Sequence, residues 1–324
     1  MQVFWIKNEK DLSDLKNNVF FASSGCALAL GFFDGVHIAH RELIRRAKRD
    51  AERNSLPLVI FTFSASNSSF KPKQPRLFTD SEKLQELNDL GADVTLVFDF
   101  DFIKNLSKEQ FVDEILVAKL NTHLAFCGFN FKFGKNASGN TDTLRRRLAL
   151  YDRSLIILEE RKLGATQISS SLIRKLLSDK NLEYAAKLLG KPFFIDGTVS
   201  HGLGLGKKLG IPTVNLDISN EKFTLPTGVY YTVTEISGKL YSSITNLGNC
   251  PTFDERETHI ETHILNFDGN IYDRDIRIYF VSHLRDEIKF SSKEELIMQI
   301  NIDKKRALAL KKEIKWQEIG LNLQ

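Results

Sequence analysis

Two histidines three residues apart, His37 and His40, close a glycine-bearing run, Gly31-Phe-Phe-Asp-Gly-Val-His-Ile-Ala-His40. An apolar strand ending at Leu30 and a helix opening near His40 would bracket that run. Gly31 and Gly35 permit a tight turn close to a ligand, and unpaired N–H groups at the helix start make the turn an anion site. Both imidazoles can then reach one polyphosphate and donate hydrogen bonds to charge developing on it. By spacing alone, a Gly-rich loop with two exposed histidines would read the same way. A second run, Gly202-Leu-Gly-Leu-Gly-Lys-Lys-Leu-Gly-Ile-Pro-Thr-Val-Asn215, is not a P-loop, because Gly206-Lys-Lys lacks a following Ser or Thr and leads into Leu-Gly-Ile-Pro. Thr213 and Asn215 face the same way on an extended segment, and their hydroxyl and amide oxygens suit a hard cation. A third group, His259, Glu261 and His263, shares one face of an alternating strand. As metal ligands these three stand roughly 6 to 7 Å apart by strand rise, too splayed for one zinc without other ligands. Two phosphate-handling signatures in one chain suggest two sequential reactions on a nucleotide.

The elements that must position these residues fall into two patterns. The first half alternates short apolar runs with amphipathic segments: strands Ala27–Leu30, Pro57–Phe63 and Asp93–Phe98, helices from about Arg41 to Asn54, Ser81 to Leu90 and Ser107 to Leu120, and apolar runs near Leu124 and Leu155. This βαβ rhythm implies a parallel sheet with helices on both faces. Beyond Leu189 short strands separated by Gly, Pro, Asn and Asp take over, at Phe193–Val199, Gly228–Val233, Leu240–Ile244, His259–Phe267 and Asp275–Val281. They read as a small antiparallel barrel, followed by a helix from Ser292 with Ser292 and Glu295 at capping-box spacing. The expected architecture is an α/β Rossmann-like domain over residues 1–188 and a β-barrel domain with a C-terminal helix over 189–324.

Composition narrows the class. A chain of 324 residues with 42% hydrophobic residues can bury two cores. No apolar run reaches the roughly 18 residues of a membrane span, and the N-terminus mixes acids and bases where a signal peptide would be apolar, so a cytoplasmic location is expected. Cys26, Cys127 and Cys250 have no C-x-x-C spacing, which argues against a disulfide framework or a cysteine zinc site. The net charge of +4 is spread among acids, favouring small anionic ligands over nucleic acid. Arg145-Arg146-Arg147 reads as a solvated helix face, and the chain shows no repeat. A weak homo-oligomer is compatible with all of this.

The run Gly31–His40 resembles the His-x-Gly-His signature of the nucleotidylyltransferase superfamily, in the form found in bacterial bifunctional riboflavin kinase/FMN adenylyltransferases (FAD synthetases). Cys127-Gly-Phe-Asn-Phe-Lys-Phe-Gly134, Ile168-Ser-Ser-Ser-Leu-Ile-Arg174 and Ala185-Ala-Lys-Leu-Leu-Gly-Lys-Pro-Phe193 resemble further segments of that family in the same order. The second run resembles the riboflavin kinase loop and its Pro-Thr-x-Asn strand, and coverage is essentially the whole chain. The resemblance implies that riboflavin is phosphorylated to FMN in the barrel and FMN adenylylated to FAD in the α/β domain, with pyrophosphate released. It implies an ATP-binding loop of Gly31, Phe33, Asp34 and Gly35 with His37 and His40 on the phosphates, Asn130 holding the nucleotide, and Ser169, Ser170 and Arg174 as a second phosphate-binding corner. In the barrel it implies a loop of Gly202, Gly204 and Gly206 with Lys207 or Lys208 over the nucleotide, magnesium on Thr213 and Asn215, Glu261 as base and Arg285 near the flavin. Taken alone, without the other motifs, Ser169 reads first as a helix cap and Arg174 as a surface cation, while for Arg285 a surface ion pair reads equally well. Adenylyl transfer needs alignment and charge stabilisation, so no covalent Ser or Cys nucleophile is expected.

The chain departs from the family at four places. Ala39 replaces the glycine between the histidines, Phe63-Ser-Ala-Ser-Asn-Ser-Ser69 replaces an Asp-Pro-His-Pro-like segment, Cys250 stands where Arg is frequent, and Tyr272-Asp273 stands for Tyr-Gly. The first two make a kinase with a weakened transferase domain the second reading. A flavin-binding regulatory module in which neither site turns over is a third, disfavoured by Glu261 together with Thr213 and Asn215.

Overall fold

The structure is a computed structural model that describes residues 1–15, 25–64, 75–164, 166–200, 210–217, 221–249 and 258–321. Its contacts divide the chain into two units, Met1–Ser170 and Ser171–Gln324.

In the first unit β1 (Gln2–Ile6), β2 (Cys26–Leu30), β3 (Leu58–Phe63), β4 (Val94–Phe98), β5 (Thr122–Gly128) and β6 (Ser154–Leu158) form a parallel sheet in the order β1-β4-β3-β2-β5-β6. All of β2 and β4 is buried, as befits strands covered on both faces. From β2 the chain moves one way, to β3 and β4, whereas β5 moves the other way, to β6. The order therefore reverses between β2 and β5, and their carboxyl ends border the crevice where open parallel sheets bind ligands. The helix Ile38–Arg53 opens at this point, three residues before the expected start, because His37 serves as its N-cap. The edge strand β1 was not expected from the sequence; among the described residues its five residues pair with β4 alone, and they run directly into Lys7 and Asn8. The helix expected over Ser107–Leu120 is one α turn, Lys108–Gln110, continued by π turns over Phe111–Lys119. A short antiparallel pair, β7 (Lys162–Leu163) and β8 (Thr166–Gln167), precedes the helix Ser170–Ser178.

The second unit carries a closed antiparallel barrel of β9 (Phe193–Ser200), β10 (Val214–Asp217), β11 (Gly228–Ile236), β12 (Lys239–Asn249), β13 (Thr258–Ile264) and β14 (Asp275–Arg285), in the order β10-β13-β12-β11-β14-β9. Its interior holds a chain of buried hydroxyls: Thr262 to Thr245 at 2.9 Å, Thr245 to Thr232 at 2.8 Å, Thr232 to Ser243 at 2.8 Å and Ser243 to Thr234 at 2.7 Å. The three inner hydroxyls, Thr245, Thr232 and Ser243, each have two hydroxyl neighbours and so can donate to one and accept from the other. The opposite face of β11 and β12 presents Val229, Tyr231 and Ile244, which pack with Leu284 against Ala307, Leu310 and Ile314 from the C-terminal helical segment. The helix Lys293–Glu313 is capped by Ser292, whose side chain accepts from the Glu295 N–H, while the Glu295 carboxylate accepts from the Ser291 N–H at 2.9 Å. Among the described residues no helix is long and apolar enough to cross a membrane.

Candidate functional sites

At the reversal point the chain leaves β2 through Gly31, whose N–H extends the ladder to the Phe61 carbonyl at 3.1 Å. The ring of Phe33 lies over Gly31 so closely that a Cβ there would stand 2.7 Å from it. Phe33 itself has φ 53°, and Gly35, in the single 3-10 turn Asp34–Val36, has φ 75°, so left-handed backbone swings the loop round to the helix start. Asp34 is buried, and its carboxylate accepts the backbone N–H of Leu77 at 3.0 Å and of Phe78 at 3.4 Å, tying the segment after β3 to this loop. The same segment brings the buried cations Arg76 and Lys83 over the Phe32 ring, at 4.5 and 5.7 Å from its centroid. Sequence reading missed both cations; the capping box Thr79-x-x-Glu82 beside them was the available signal.

The His37 and His40 rings stack with centroids 3.6 Å apart and planes 15° from parallel, and Phe33 meets His40 edge-on at 5.2 Å. The His40 N–H donates to His37 Nδ1 at 3.4 Å, so that nitrogen carries no proton and the neutral ring bears its hydrogen on Nε2. His40 Nδ1 is buried with no hydrogen-bond partner among the described residues, a state that native folds rarely leave without a reason. Burial pushes the His37 imidazole down to about 4, and burial, with the repulsion His37 would exert once protonated, holds His40 well below the ordinary histidine range. Both are therefore neutral donors at neutral pH. Ala39 lies in the first turn of the helix without positive φ, so its methyl group demands no left-handed backbone.

These depressed values make stability pH-dependent with a definite sign. The unfolded chain protonates its histidines near 6.5 while the folded His37 resists until about 4, so stability is full above 6.5 and falls on acidification through that window. His37 contributes up to about 1.4 kcal/mol per pH unit there. Denaturant midpoints from pH 7.5 to 4.5 should show the fall, and His37→Asn, which keeps a cap acceptor, should have a shallower slope; identical slopes would refute the assignment.

Ser170 opens the helix Ser170–Ser178, and its hydroxyl donates to the Asp34 carbonyl at 2.9 Å, joining the Ser-Ser segment to the histidine loop. Ser169 immediately precedes that helix, and Arg174 stands one turn along it. Asn130 is exposed just beyond the carboxyl end of β5, the strand next to β2. The loop, both histidines, Ser170 and Asn130 therefore gather at the carboxyl edge of the parallel sheet.

In the barrel, Asn215, Glu261 and Asn246 form a row across β10, β13 and β12, each in register with the next. Residues paired across strands share a face, and this one is opposite to that of Ile260 and Thr262, which are buried. The Thr213 hydroxyl donates to Glu261 Oε1 at 2.6 Å, fixing the carboxylate and leaving both hydroxyl lone pairs for a cation. Thr213, bonded to Glu261, and Asn215, in register with it, thus bring oxygen donors of the hard class to one face of the barrel. His263 Nδ1 lies 2.7 Å from the Pro212 carbonyl, and burial holds its imidazole below the ordinary range. Arg285 is engaged by the buried Asp303, with Nε 3.0 Å from one carboxylate oxygen, and its NH1 group donates to the Asp286 carbonyl at 3.0 Å. The arginine therefore ties the end of β14 to the C-terminal helix. Gly202, Gly204, Gly206, Lys207, Lys208, Cys250 and the stretch from Ala65 to Ser69 lie outside the described residues.

Residues 21–172 match the FAD synthetase family and residues 189–311 the riboflavin kinase family. The bifunctional riboflavin kinase/FMN adenylyltransferase of Bacillus subtilis is 36% identical over 289 residues, covering 87% of this chain and 91% of its own length. The protein of that name from Escherichia coli K12 is 32% identical, covering 86% and 90%. A crystal structure described as a macrolide-efflux protein from Streptococcus pneumoniae is similar with a TM-score of 0.81 at 28% identity, over 94% of this chain and 98% of that one. With both family matches in order and relatives aligned over most of their length, the chain belongs to the bifunctional riboflavin kinase/FMN adenylyltransferase family.

Proposed function

We infer that the chain makes FMN and then FAD: its barrel transfers the γ-phosphoryl group of ATP to riboflavin, and its α/β unit transfers AMP from a second ATP to FMN. The co-occurrence of the stacked histidine pair and the Thr213–Glu261 hydrogen bond in one chain carries the reading. In the kinase step Glu261 accepts the proton of the riboflavin 5′-hydroxyl as its oxygen bonds to the γ-phosphorus and the bridging P–O bond breaks, giving ADP. Thr213 orients that carboxylate. Magnesium held by Thr213 and Asn215 would neutralise charge on the transferring group. In the second step a phosphate oxygen of FMN bonds to the α-phosphorus of ATP and pyrophosphate departs. Nε2–H of His37 and the imidazole of His40 donate to phosphate oxygens, with Ser169, Ser170 and Arg174 assigned to the opposite corner and Asn130 to the nucleotide.

We assign residues 1–188 to the transferase and 189–324 to the kinase, acting in the cytoplasm on small molecules with no nucleic-acid partner. Phosphorus NMR tests the reading: riboflavin, excess ATP and magnesium should yield one ADP and then one pyrophosphate per flavin, and FMN should yield pyrophosphate alone. ADP without pyrophosphate from either start would leave only the kinase half standing.

A further inference from the structure

The barrel row that holds Glu261 continues to a residue with no assigned role. Gly248, two residues beyond Asn246 on β12, is buried, and a Cβ built on it would stand 2.8 Å from Glu287 Oε1 and 3.6 Å from Asn246 Nδ2. The exposed Glu287 therefore folds its carboxylate back over the bare Cα of Gly248, near the side chain of Asn246, the residue in register with Glu261. No φ in the left-handed range requires glycine at 248. What the missing side chain provides is room for the carboxylate. Glu287 has no hydrogen-bond or ion-pair partner among the described residues, so its oxygens are available as acceptors facing this row.

An ionised carboxylate accepts hydrogen bonds and repels phosphate, so it suits the hydroxyl-bearing part of a substrate and not the nucleotide. Residues two apart on a strand are separated by about 7 Å, which sets Glu287 roughly one pleat away from the Glu261 row. A polyol chain whose terminal hydroxyl meets Glu261 carries its secondary hydroxyls over that span. We propose that Glu287 is a substrate-positioning residue of the kinase site, accepting hydrogen bonds from the secondary hydroxyls of riboflavin's polyol chain through the gap left by Gly248. The proposal rests on the reading of Glu261 as the group at the terminal hydroxyl.

The test measures riboflavin kinetics and flavin binding in the full chain for Glu287→Gln, Glu287→Ala and Gly248→Ala. Each variant should raise the riboflavin KM about tenfold with kcat within threefold of the parent. The Kd of lumiflavin, the same ring carrying a methyl group in place of the polyol, should stay unchanged by fluorescence quenching. Adenylylation of supplied FMN should also stay within twofold, which checks that the chain is folded. An unchanged riboflavin KM in Glu287→Ala, or lumiflavin binding weakened as much as riboflavin binding, would overturn the proposal. Wild-type behaviour of Gly248→Ala would overturn the role given to the bare glycine. The Glu261 reading fails separately, if Glu261→Gln keeps the parent kcat, an outcome that leaves the split between riboflavin and lumiflavin binding unaffected.

Discussion

Glu261→Gln should lower the rate of FMN formation by about a thousandfold while FAD formation from supplied FMN stays within twofold of the parent. General-base catalysis contributes about 10²- to 10⁴-fold, and glutamine removes the proton-accepting oxygen while preserving shape. The amide oxygen can still accept from the Thr213 hydroxyl, which lies 2.6 Å from Glu261 Oε1, so the barrel row stays intact. The loss should fall on kcat with little change in riboflavin KM, the signature of an interaction made in the transition state. Equal loss of both activities would show that the substitution harms the fold, or that one site performs both reactions.

His37→Ala should do the reverse, lowering adenylylation by about a hundredfold or more and sparing phosphorylation. One part of this loss is mechanistic: neutral His37 presents Nε2–H to phosphate oxygens because its Nδ1 already accepts the His40 N–H. Another part is structural, since His37 also caps the helix Ile38–Arg53 and a lost cap costs about 1 kcal/mol. His37→Asn separates the two, because asparagine caps well and has no imidazole. If His37→Asn recovers the parent rate, the histidine acts only as a cap; if it stays as slow as His37→Ala, the imidazole serves the chemistry.

The turn between β2 and the helix Ile38–Arg53 was legible because its cues are local: an apolar strand, glycines at the bend and a polar residue at the cap. The barrel was legible in kind, but its two longest strands were read too short. β12 and β14 each run 11 residues, yet apolar alternation gave only Leu240–Ile244 and Asp275–Val281. The reason lies partly in the core, where Thr232, Thr234, Ser243, Thr245 and Thr262 face inward and look like surface residues to a hydropathy pattern. Contacts across long sequence separations carry no local signal. The Ser170–Asp34 bond spans 136 residues and the Thr213–Glu261 bond 48, and nothing local in the sequence pairs those residues. Asp34 is an example: the resemblance put it in the ATP-binding loop, and only the structure shows its carboxylate accepting the N–H groups of Leu77 and Phe78, more than 40 residues away.

Separating the flavins by chromatography from the parent chain, Glu261→Gln and His37→Asn, each started from riboflavin and from FMN with ATP and magnesium, tests two sites in one chain most directly. The parent should give FMN and then FAD from riboflavin, Glu261→Gln should give FAD only from FMN, and His37→Asn should stop at FMN from riboflavin and give no FAD from either start. FAD appearing from riboflavin at the parent rate in either variant, or both variants losing both products together, would contradict the account.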